Sequence, residues 1–157
     1  MGRTSSAVYE INYHIVWCPK YRKPILKGKV KEYLEDLIRT IAETKGWKVI
    51  ELEVMPDHIH LFISAPPFEA PTDIVKVLKG VTAKRIFEKF SELKKKEFWG
   101  SGLWSPSYYV GTAGHVSAET IKKYIAGVKN RCRKKTTRFN RWMNCDKIYK
   151  GKSVVRK

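Results

Sequence analysis

The stretch Val54-Met55-Pro56-Asp57-His58-Ile59-His60-Leu61-Phe62-Ile63 decides how this chain is read. Ile59, Leu61 and Ile63 alternate with His58, His60 and Phe62, which is the period of a half-buried β-strand. Side chains two residues apart on a strand share a face and lie about 7 Å apart, at a rise of about 3.3 Å per residue. Two imidazoles so placed can grip one divalent metal between them. Pro56-Asp57 reads as a tight turn, so the histidine pair opens a strand and Trp47 to Met55 forms the strand before it.

Outward from this hairpin, Val8 to Cys18 predicts the first strand: Ile11, Tyr13, Ile15 and Trp17 alternate with Asn12, His14 and Val16. One set can face a core while the other, His14 included, faces away. The spacing of Val30, Leu34, Leu37, Ile38 and Ile41 predicts a helix from about Val30 to Thr44, stopped by Gly46. A second helix is expected from Pro71 to about Phe90, with Thr72 or Asp73 as its cap. Leu103 to Val110 predicts a fourth strand. A third helix is expected after Gly114, capped by Ser117 and carrying Ile121, Tyr124, Ile125 and Val128 on one face. The order β-α-β-β-α-β predicts an α+β fold, a ferredoxin-like or RRM-like antiparallel sheet of four strands with two helices on one face. In that arrangement the first and third strands are central neighbours, which brings His14 towards His58 and His60. The third helix is the natural cover for their face.

Composition sets the broad class. The 157 residues are enough for one domain with a real core. The balance of 32 Lys and Arg against 15 Asp and Glu gives a net charge of +17, which predicts a polyanionic partner and puts nucleic acid first. From Lys129 to Lys157 there are 12 Lys or Arg and one Asp. We expect one catalytic domain over residues 1–131 and a basic tail over 132–157. No apolar run approaches the roughly 20 residues of a membrane span. The three cysteines, Cys18, Cys132 and Cys145, form no CxxC pair, so neither a disulfide framework nor a four-cysteine zinc site follows, and a reducing cytoplasm is the expected setting.

Two histidine ligands leave coordination positions for water or substrate oxygens, which suits catalysis better than structure. On a chain this basic the substrate oxygen belongs to a phosphodiester, which a metal would neutralise and polarise. Tyr124 is placed on the third helix to act as a nucleophile, although packing is the other reading of its ring. The residues alone leave two further readings open: a non-catalytic, RRM-like nucleic-acid-binding module, and a metal-dependent nuclease that uses water.

Five blocks occur in order: residues Tyr13 to Arg22, Met55 to Leu61, Leu78-Lys79-Gly80, Leu103-Trp104-Ser105-Pro106, and Ile121-Lys122-Lys123-Tyr124-Ile125. Together they resemble the small single-tyrosine HUH transposases, the TnpA-type enzymes of the insertion sequence 200/605 family, where HUH denotes histidine, hydrophobic, histidine (here His58-Ile59-His60). The resemblance implies a homodimer that cleaves and rejoins single-stranded DNA with hairpin ends, with Mg²⁺ or Mn²⁺ at His58 and His60. Tyr124 would attack the scissile phosphate to give a 5′-phosphotyrosine link and a free 3′-OH, often completing the histidine site of the other subunit. Lys20, Arg22, Lys79, Lys84, Arg85, Lys122, Lys123 and Arg131 are the expected DNA contacts. Many members of the family carry a Gln four residues after the tyrosine as a third ligand. Here Val128 stands there and the chain contains no Gln, so Asn130, Asn12 or water would have to serve.

Overall fold

A computed structural model describes residues 2–98, 101–113 and 123. The third helix, Tyr124 and the basic tail lie outside these, apart from Lys123, which is helical and exposed.

The strands and the two long helices among the described residues run β1 (Gly2–Arg3), β2 (Val8–Tyr9), β3 (Asn12–Trp17), α1 (Gly28–Lys45), β4 (Lys48–Met55), β5 (His58–Ser64), α2 (Pro71–Lys89) and β6 (Tyr109–Ala113). The main sheet has the order β4-β5-β3-β6 and every pairing in it is antiparallel. This is the split β-α-β arrangement expected from the sequence, with β3 and β5 as central neighbours.

Local chemistry explains the element ends. At the close of α1, Gly46 takes a left-handed φ of 74°, and its N–H reaches the carbonyls of Ala42 and Glu43. A side chain is strained in that conformation, so glycine ends the helix where the sequence predicted. Helix α2 runs unbroken through Gly80. Its N-cap is Ala70 rather than Thr72 or Asp73, because Pro71 occupies the first helical position, where its fixed φ suits the turn and its missing N–H costs nothing. Asp73 remains in the first turn, where its charge favours the helix dipole.

Two strand boundaries differ from expectation. The first strand is not continuous from Val8 to Cys18. Val8–Tyr9 instead pairs with Gly2–Arg3 across the Thr4–Ala7 turn, and only Asn12–Trp17 joins the main sheet. The Tyr9 ring stands over Gly2 so closely that any Cβ there would overlap it. The fourth strand begins at Tyr109 rather than Leu103. Leu103 to Ser105 does run beside the end of β3, through Lys20 N–H to the Leu103 carbonyl at 2.8 Å and Ser105 N–H to the Cys18 carbonyl at 3.0 Å. Pro106 then has no N–H to offer a ladder, and regular pairing resumes only at Tyr109.

Both helices cover one face of the sheet. Ile15 and Trp17 of β3, with Ile59, Leu61 and Ile63 of β5, pack there against Leu34, Ile38, Ile74 and Leu78 of the helices. Trp104 joins this layer, edge-on to Trp17, with its indole N–H donated to Thr82 Oγ1 at 3.0 Å. The opposite face carries Asn12, His14, Val16, His58, His60 and Phe62, and these too are buried.

Candidate active site

The pairing register assembles the site. Val16 lies opposite His60 and His14 opposite Phe62, so His14 is the diagonal neighbour of His60. The His14 and His60 rings stack with centroids 5.5 Å apart, and His14 Nε2 is 3.2 Å from His60 Nδ1. The His58 and His60 rings meet edge-to-face at 5.0 Å. The strand period thus brings the histidines together on one face, as the sequence predicted.

Burial sets their charge. Desolvation lowers the pKa of His14 to about 4. For His60 burial acts first and the charges of His58 and His14 add to it, lowering the value to about 2. Both rings are therefore neutral near pH 7, the form that ligates a metal.

Asp57, which the sequence suggested only as a turn residue, is a full member of the site. One carboxylate oxygen, Oδ1, is 2.6 Å from His58 Nδ1, and the other accepts a hydrogen bond from the Arg22 guanidinium at 2.8 Å. Burial alone would raise the Asp57 pKa. The hydrogen bond and charge of His58, then those of Arg22, outweigh burial and leave the carboxyl below its ordinary range. Arg22 reaches across because Tyr21 and Arg22 both take left-handed φ angles, 62° and 49°, in the 3₁₀ turn Lys20–Arg22. Side chains seldom adopt that backbone, and such outliers cluster at functional sites. The signal available in the sequence was Asp57 directly before the histidine pair, together with a basic loop 35 residues earlier.

The remaining basic residues are spread more widely. Lys20 lies 5.7 Å from the Tyr21 ring centroid. The Lys79 ammonium donates to the Ser105 carbonyl at 2.5 Å and the Ser107 carbonyl at 3.4 Å, tying α2 to the segment before β6. Lys84 and Arg85 are exposed on α2, in the helical layer behind the sheet, and Arg85 pairs with Glu88. Lys122 and Arg131 lie outside the described residues. Of the described tyrosines, Tyr109 touches the cluster, edge-on to His14 at 6.0 Å.

The donor chemistry fits a divalent cation at His58 and His60. With Nδ1 of each ring in a hydrogen-bonded contact, an Nδ1–H tautomer puts the ligating lone pair on Nε2. Among the described residues no group of three or more His, Cys, Asp or Glu is arranged to hold a metal, so they supply a ligand pair rather than a closed site. Asn12 cannot complete it. It pairs with Ser64, four residues along the strand from the position opposite His60, about 13 Å at the rise of a β-strand. Asn130 and Val128 lie outside the described residues.

A ferredoxin-like sheet bearing a His-x-His pair on the face turned away from α1 and α2 defines the class, and the chain matches the family described as "Transposase IS200 like" over residues 7–127. It belongs to that family. It is 48% identical over 125 residues to the ISDra2 transposase TnpA of Deinococcus radiodurans, covering 80% of this chain and 89% of that protein. It is 34% identical over 117 residues to the transposase for insertion sequence element IS200 of Salmonella typhimurium, covering 74% of this chain and 76% of that one. Among solved structures, a proposed transposase from Deinococcus radiodurans R1 superposes with a TM-score of 0.67 at 40% identity, over 81% of this chain and 97% of that one. A REP-associated tyrosine transposase bound to a REP hairpin superposes with a TM-score of 0.54 over 83% of this chain and 75% of that one, and at 15% identity it speaks for the fold alone. No described helix is long and apolar enough to cross a membrane.

Proposed function

We propose that this transposase is a metal-dependent enzyme that cleaves and rejoins single-stranded DNA at insertion-sequence ends through a 5′-phosphotyrosine intermediate. The observation that carries the reading is the buried histidine pair, His58 and His60, on one face of β5, with Asp57 and His14 each against the Nδ1 of one ring. A partner at Nδ1 is the usual support behind a metal-ligating histidine, because it fixes the tautomer that leaves Nε2 to the cation.

Mg²⁺ or Mn²⁺ held by these two residues would neutralise the scissile phosphate and polarise it for attack. The Tyr124 hydroxyl oxygen then attacks phosphorus, the bond to the 3′ oxygen breaks, and that oxygen leaves as a 3′-OH with the proton. The phosphotyrosine ester keeps the bond energy, so a second 3′-OH can displace the tyrosine and rejoin the strands without any external energy source. The basic balance of the chain supports a polyanionic substrate. A homodimer would hold two DNA ends with one gene product. Residues 1–131 would form the catalytic domain, and residues 132–157 a phosphate-contacting tail.

The deciding experiment is capture of a covalent protein–DNA adduct on hairpin-bearing single strands. Tyr124→Phe should abolish the adduct while DNA binding persists, and His58→Ala/His60→Ala should abolish metal-dependent cleavage. Tyr109→Phe is the critical control, because Tyr109 lies beside His14. An adduct that survives in Tyr124→Phe and disappears in Tyr109→Phe would reassign the nucleophile. Cleavage without any adduct would favour the water-using nuclease, and binding without cleavage the RRM-like module.

A further inference from the structure

Asp57 stands outside the ligand pair yet touches it, and the chain spends an unusual backbone on keeping it in place. Its Oδ1 meets His58 Nδ1 at 2.6 Å, and its Oδ2 takes the Arg22 guanidinium at 2.8 Å. Arg22 is only 14% exposed at its side chain, so it faces Asp57 rather than solvent. The loop that delivers it is fixed at three points. Lys20 N–H bonds to the Leu103 carbonyl, Ser105 N–H bonds to the Cys18 carbonyl so that Pro19 lies opposite Trp104, and Arg22 N–H bonds to the Pro19 carbonyl at 2.8 Å. The left-handed φ angles of Tyr21 and Arg22 fall inside that fixed loop. A surface ion pair needs no such preparation. A carboxylate that must stay aimed at one ring nitrogen does.

We propose that Asp57, pinned by Arg22, is a positioning residue for His58: it accepts the Nδ1–H of the imidazole and so commits Nε2 to the divalent cation. This rests on the metal reading of His58 and His60 given above. A neutral histidine can carry its proton on either nitrogen, and on Nε2 the proton would block the ligating lone pair. Asp57 removes that form, as carboxylate partners of metal-bound histidines generally do. Arg22 holds the carboxylate from its far side, so the ring is fixed in orientation as well as in tautomer.

The test is nuclear magnetic resonance of the imidazole nitrogens in the full-length, metal-free protein, followed by titration with Mn²⁺ alone, which broadens the signals of rings near it. In the wild type, His58 should carry its proton on Nδ1. Asp57→Ala and Asp57→Asn should move it towards Nε2 and raise the Mn²⁺ concentration at half-broadening by about 10- to 100-fold. Arg22→Ala should do the same more weakly, and Arg22→Lys, which keeps a cation against the carboxylate, should recover most of the loss. Circular dichroism identifies any variant that has not folded, and Asp57→Asn, which is nearly isosteric, guards against that failure. A carboxylate that bound Mn²⁺ itself would weaken binding in the same variants but leave the metal-free tautomer of His58 unchanged, and that result overturns the positioning role. So does a wild-type His58 already protonated on Nε2, or an unchanged Mn²⁺ midpoint in both folded Asp57 variants. Broadening in the wild type no greater than in His58→Ala/His60→Ala would overturn the metal reading and this inference with it. The tautomer would then report separately that Asp57 orients the ring for some other purpose.

Discussion

His14 and His60 are neutral because burial makes their charged forms expensive, and that ties the fold to pH. An unfolded chain protonates histidine near 6.5, whereas folded His14 waits until about 4 and folded His60 until about 2. The unfolded chain therefore binds more protons in acid. The stability carried by the neutral rings is complete above about pH 6.5 and is lost as pH falls towards 4 and below. Asp57, whose pKa is also lowered, works in the same direction further into acid. Urea unfolding without metal should show stability falling from pH 7 to pH 4.5, by up to about 1.4 kcal/mol per pH unit for each ring. A flat profile would mean that the rings are more hydrated than their burial suggests. The histidine pair was legible from the sequence because a period of two is a local property. The Arg22–Asp57 contact was not, because nothing within a few residues of Arg22 distinguishes a DNA-facing arginine from one turned to a carboxylate 35 positions on.

Among the elements, the ends were readable where one residue's chemistry decides them, and unreadable where a distant partner does. Gly46 ends α1 through its own left-handed backbone, φ 74°. Gly46→Ala should cost about 1 kcal/mol, because a Cβ disfavours that conformation although there is open space around it. Thermal unfolding would detect this as a lower midpoint with an unchanged spectrum, and an unaltered midpoint would show that the cap tolerates alanine. The alternation from Val8 to Cys18, by contrast, is continuous in sequence, and only pairing with Gly2–Arg3 separates Val8–Tyr9 from β3. The strand expected from Leu103 rests on its aromatic residues, Trp104, Tyr108 and Tyr109. Pro106 outweighed them by removing a donor, leaving β6 to a stretch with Gly111 and Ala113, which carry little strand propensity.

At the scale of the whole molecule, charge and symmetry yield the tests. Each phosphate contact releases counterions, so affinity of this +17 chain for single-stranded DNA should fall steeply with salt. Removing residues 132–157, with ten basic residues and one Asp, should weaken binding and flatten that slope. A slope unaffected by the truncation would assign the phosphate contacts to the first 131 residues. If sites are shared between subunits, mixing Tyr124→Phe chains with His58→Ala/His60→Ala chains should restore part of the cleavage that neither has alone. No restoration from a confirmed mixed dimer would mean that each subunit uses its own tyrosine. The two central strands, β3 and β5, are buried on both faces and paired on both edges. Their backbone amides should be the last to exchange with deuterium, opening only when the entire domain unfolds, whereas those of edge strand β4 should exchange sooner. The histidines thus sit in the part of the molecule that local fluctuation reaches least. Heating should disperse the histidine cluster in a single step together with the fold, with no warm, folded state in between that has lost it.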